Sequence, residues 1–142
     1  MKSKLLFNIG AAIFFVLIVI GLLTPTSGPK RAGKIVQSKL EMSDINAAMT
    51  QYHNEYGSYL TGNSANIIQC LLGNNLRKIE FLSLNANRFD SNGDFLDPWL
   101  TPYRIEILAQ TNLVVRSAGP DKKFGDADDI VFNSVSNNFV KP

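Results

Sequence analysis

The chain is poor in the side chains that most chemistry needs. Its 142 residues include one cysteine, Cys70, and one histidine, His53. A lone cysteine excludes an internal disulfide and a thiolate metal cluster. Cys70 lies in the apolar run "IIQCLL", where it reads as a small buried hydrophobe. With a single histidine there is no histidine-rich metal spacing and no Ser/His/Asp set, and no phosphate-cradling glycine loop is present. Catalysis is therefore not expected. Acids are missing from the first forty positions, which carry six bases: Lys2, Lys4, Lys30, Arg31, Lys34 and Lys39. Residues 41–142 hold eight bases against twelve acids. The net charge of +2 thus joins a basic neck to a mildly acidic head. Without Lys/Arg clustered on the head, nucleic-acid binding is excluded. Internal repeats and low-complexity segments are also absent.

One hydrophobic run dominates what is there. Residues 5–23, "LLFNIGAAIFFVLIVIGLL", contain Asn8 as their only strongly polar side chain. Nineteen residues make about 28 Å of helix, enough to span a bilayer's hydrocarbon core. A cleaved signal peptide competes with this reading, because Met1 to Lys4 form a basic start and "TPTSG" supplies small residues. The run exceeds the usual apolar core of about 7–15 residues, so a retained anchor is expected. Lys2 and Lys4 face Lys30, Arg31 and Lys34 across the span, and the positive-inside rule barely decides orientation. The acidic head favours N-in, a single pass, and a domain facing the periplasm or exterior. Residues 1–28 are then anchor and break, and 29–142 the domain.

Beyond Pro25 and Pro29 the pattern acquires a helical period. Ile35, Val36, Leu40, Ile45, Ala48, Met49, Tyr52 and Tyr56 gather on one face, and Gly57 stops the run. This predicts a long amphipathic spine helix over 30–57, with a head over 58–142. Within the head, "NSANIIQCLLGNN" reads as a short helix capped by Asn63 or Ser64, with Ile67, Ile68, Leu71 and Leu72 inward. A turn-rich segment follows, with Asn92-Gly93 and Asp97-Pro98-Trp99 as reversals. Trp99 is expected to be a core anchor over the spine. "YRIEILA", "NLVVRS" and "IVFNSV" then predict a small antiparallel sheet that covers the spine. The expected fold class is α+β and pilin-like: transmembrane helix, spine helix and short helix, packed on a small sheet carrying an acidic loop.

The spine followed by "YHNEYGSYL", "FLDPWLTPYRIEI" and "RSAGPDKKFGDADDI" resembles the C-terminal part of the major pseudopilins of the bacterial type II secretion system. That family carries Tyr-x-x-x-x-Gly-x-Tyr-Pro, then Asp-Pro-Trp-Gly-x-Pro-Tyr, then a calcium loop Ser-x-Gly-x-Asp that ends in Asp-Ile. The likeness covers residues 38–131. The middle, "IIQCLLGNNLRKIEFL", is similar to a variant head of pseudopilin-like proteins. Leu60 stands where the family has Pro, and Leu100 where it has Gly. Both fit if the backbone there avoids positive φ. Family members also begin with a leader ending in Gly and then an acidic Phe-Thr-Leu-Ile-Glu segment. Here no Gly precedes Gly10 and no acid precedes Glu41. The expectation is no prepilin-peptidase cleavage and at most a minor or adaptor place in a filament.

The loop "RSAGPDKKFGDADDIVF" places Asp121, Asp126, Asp128 and Asp129 within nine positions. Hard oxygen ligands suit calcium, whereas zinc prefers nitrogen or sulfur and magnesium a stricter octahedron. The other reading is a solvated acidic hairpin eased by Lys122 and Lys123. The resemblance implies a structural Ca2+ held by Asp121, Asp128 and Asp129, with Ser117 and nearby carbonyls as neutral oxygens and Asp126 spare. "DSNGD", with Asp90, Asn92 and Asp94 alternating, matches half of an EF-hand loop but has Phe95 at the sixth place and Thr101 at the twelfth. A solvated turn is expected there.

The resemblance implies a structural subunit of a type II secretion or pilus-like assembly at the bacterial inner membrane. Its partners would be other pseudopilin or envelope secretion subunits, further copies of itself, and the bilayer through residues 5–23. A stand-alone membrane-anchored domain, or a secreted calcium-binding module that does not polymerise, is the alternative.

Overall fold

In the computed structural model the described residues are 27–108 and 112–140, with side chains from residue 30. The apolar run 5–23 lies outside them. The chain divides into Met1–Lys30 and Arg31–Pro142. Among the described residues, no helix is long and apolar enough to cross a membrane.

Pro29 in its first turn and Gly57 at its end bracket helix α1, Ser27–Tyr56. Gly57 adopts φ +73° and donates its N–H to His53 O at 2.8 Å, which closes the last turn. The buried face reads Ser38, Met42, Ile45, Ala48 and Met49, with Ile35 and Tyr52 half-buried against the core. Val36 and Leu40 were expected on that face but are 57% and 61% exposed. The reason is rotation: at about 3.6 residues per turn, stepping back from Met49, Ile45 and Met42 reaches Ser38 and Ile35. Val36 and Leu40 fall on the far side.

Helix α2, Ser64–Leu71, is capped by Asn63, whose side chain accepts the N–H of Asn66 at 2.8 Å. It buries Ile67, Ile68 and Leu71, while Leu72 and Cys70 are half-buried. Strands β1 (Arg104–Leu108), β2 (Asn112–Ser117), β3 (Ile130–Asn133) and β4 (Asn138–Val140) form an antiparallel meander in chain order. Registers Ile105↔Val115, Val115↔Phe132 and Phe132↔Phe139 align one inward row, and Ile107↔Leu113 the next. That face shares one core with α1 and α2, and Trp99 and Tyr103 join it. The α+β class with a small antiparallel sheet is as expected. β4 was not foreseen, because three residues with asparagine at the edge give little strand signal.

Polar contacts also attach the spine to the head. Arg88, from the short 3-10 turn Ala86–Arg88, forks onto both oxygens of Glu41 at 3.1 Å. Its Nε and Nη2 also donate to Leu96 O. The Tyr103 hydroxyl donates to Glu41 Oε2 at 2.7 Å and lies 3.1 Å from Ser38 Oγ. Burial first, and the neighbouring Glu41 carboxylate next, push the Tyr103 phenol far above its ordinary range. At the helix end Tyr52 stacks on Tyr56, and His53 on Tyr59, so the only histidine is a packing side chain.

Candidate metal centre

Residues 98–100 make a tight reversal closed by the Leu96↔Pro102 bridge. Asp97 builds it from inside. Its Oδ1 accepts the N–H groups of Trp99 and Thr101, both at 2.9 Å, and its Oδ2 accepts the Ser117 hydroxyl at 2.5 Å. The carboxylate is wholly buried and fully occupied. Leu100 ends the reversal at φ +68°. The condition that it avoid positive φ is therefore not met. A three-residue hairpin commonly closes through a left-handed residue, and glycine takes that conformation without strain.

Through Ser117 the turn reaches the connection between β2 and β3, residues 118–129. Gly119 donates its N–H to Ser117 Oγ at 3.2 Å and adopts φ +67°. A Cβ there would stand 2.2 Å from Asp128 O, so the neck of the loop closes only on glycine. Inside the loop the carboxylates are engaged one by one. Asp121 Oδ1 accepts Lys123 N and Asp126 Oδ1 accepts Asp128 N, each at 2.9 Å. Asp128 meets the Arg31 Nη2 of α1 at 3.3 and 3.4 Å. Asp129 is 7% exposed; its Oδ2 accepts Gly125 N at 2.8 Å, while Oδ1 is buried and has no hydrogen-bond partner among the described residues.

Among the described residues, no three His, Cys, Asp or Glu side chains converge as a metal cage. Ser117 turns its hydroxyl to Asp97, and Asp121, Asp128 and Asp129 share one loop with separate partners. The observation that fits a cation is the orphaned Asp129 oxygen. A buried carboxylate oxygen without a donor is costly, and a hard cation satisfies it. Sequence reasoning missed two participants, Arg31 and Asp97. Asp97 was visible only as the start of a turn, and Arg31 only as part of the neck's positive charge. At the Asp90 turn, Asp90 Oδ1 accepts Asn92 N and Asp94 N at 2.8 and 3.0 Å.

No family model, curated protein or solved structure matches the chain.

Proposed function

We propose that the chain is a pseudopilin-like structural subunit of a type II secretion or pilus-like envelope assembly. It is anchored in the bacterial inner membrane through residues 5–23 and carries a calcium-stabilised head outside. One arrangement supports this reading above others. A single spine helix, the Asp97 reversal and the acidic β2–β3 loop occur in that order, and one buried contact, Ser117 to Asp97, ties the reversal to the loop.

The exposed outer side of α1, with Val36 and Leu40, is where neighbouring subunits would be met. Asp129 would hold the calcium through its orphaned oxygen, and Asp121 and Asp128 would complete the site by turning from their present partners. Bound there, the ion supplies positive charge that offsets carboxylate repulsion and braces β2 against β3. Ser117 serves from behind, holding the loop's entry to Asp97.

Membranes washed with alkaline carbonate, followed by intact-mass measurement, test the anchor. Full-length chain should stay with the membrane. A soluble product that begins near Pro29 would overturn the anchored reading in favour of a secreted module.

A further inference from the structure

Arg31 and Asp128 are far apart in sequence yet meet across the gap between the spine and the loop. The Arg31 Nη2 approaches both oxygens of Asp128, at 3.3 and 3.4 Å. Asp128 is also the residue whose backbone carbonyl a Cβ at Gly119 would meet, which places Asp128 at the neck of the loop. Next to it, the buried Asp129 Oδ1 has no donor. The gap itself is a cavity of about 520 Å³ lined by Arg31, Ile35, Lys39, Asp128, Asp129 and Phe139, among others.

We infer that Arg31 is a built-in competitor for the calcium site, the guanidinium and the divalent cation being alternative partners of Asp128. The inference rests on the calcium reading above and adds an affinity-setting residue to it. Both charges cannot share the carboxylate without repelling each other at close range. The ion pair is easily exchanged, because its side chains are 55% and 36% exposed and its contacts are long. The cavity gives the displaced guanidinium room to swing away from the loop.

Two consequences follow. Without calcium, the Arg31 side chain is paired with the loop; with it, that side chain is released. By linkage, an anion that captures Arg31 tightens calcium binding by the same factor by which calcium tightens binding of that anion.

The test is calcium titration of the full-length chain in detergent micelles, comparing wild type with Arg31→Met, Lys39→Met and Asp128→Asn. Lys39 lines the same cavity but stacks on Phe139, with Nζ 4.9 Å from the ring centroid, so it controls for general loss of positive charge. Arg31→Met should tighten calcium about two- to fivefold, the scale of an exposed ion pair. Lys39→Met should change it less, and Asp128→Asn should weaken it. Equal affinity in wild type and Arg31→Met, or an equal gain in Lys39→Met, overturns the competition and leaves the calcium site standing. No calcium binding in either wild type or Arg31→Met overturns both.

Discussion

Replacing Gly119 by alanine isolates the closure of the loop neck, because Gly57 provides a control with nearly the same backbone angle. The two glycines have φ +67° and +73°. A Cβ at Gly57 meets nothing within 4 Å, whereas at Gly119 it would stand 2.2 Å from Asp128 O and 2.9 Å from Asp128 C. An L-residue in the left-handed region costs about 1–2 kcal/mol. The stiffer unfolded chain of an alanine variant offsets about 0.4–1 kcal/mol of that. Gly57→Ala should therefore destabilise by about 1 kcal/mol. At Gly119 the obstacle is backbone, which cannot rotate aside as a side chain would. Overpacking of this kind adds about 1–3 kcal/mol, for a total of about 2–4 kcal/mol. For a domain of this size about 1 kcal/mol moves Tm by about 4 °C, so the variants should separate clearly in a thermal melt of the full chain. Gly119→Ala melting at or above Gly57→Ala would refute the pinched neck.

Leu100→Gly should stabilise by about 0.5–1 kcal/mol, since it relieves a left-handed residue while Leu100 buries little; a lower Tm would contradict this. Arg88→Ala should cost about 2–4 kcal/mol in chemical denaturation by stranding the half-buried Glu41. The Glu41→Gln/Arg88→Ala double variant should lose less than the sum of its parts. The Tyr103 phenol, raised by burial, stays protonated in the fold while the unfolded chain releases that proton near about pH 10. Stability is then unaffected below about pH 10 and falls as pH rises beyond it, and Tyr103→Phe should flatten that fall.

Much of the architecture was legible because it follows from periodicity and caps. The short helix announced itself through Asn63 and the pair Ile67-Ile68, and Gly57 marked the end of the spine. What periodicity could not resolve was the rotation of the spine's first half. Val36 and Leu40 are as apolar as Ile35 and Met42, and only the packed head decides which pair is covered. The Glu41–Arg88–Tyr103 network was hidden for another reason: its members lie up to 62 positions apart, and nothing local marks them. At the loop, the density of aspartates was plain, but partner choice was not. Ser117 alternates inward with Val115 on β2, so its hydroxyl meets Asp97. Asp128 turns to a guanidinium from the neck, which no motif within the loop contains.

The proposed calcium would satisfy Asp129 and brace the acidic loop. The direct test is thermal unfolding of the full-length chain in chelator and in 10 mM calcium, beside Asp129→Asn and the Asp121→Ala/Asp128→Ala double variant. With a Kd on the order of 10⁻⁴ to 10⁻³ M, typical of extracellular calcium modules, that concentration stabilises by about 1.4–2.7 kcal/mol. The wild type should gain about 5–10 °C in Tm, and neither variant should follow. An unchanged wild-type Tm, or an equal rise in Asp129→Asn, would contradict the account.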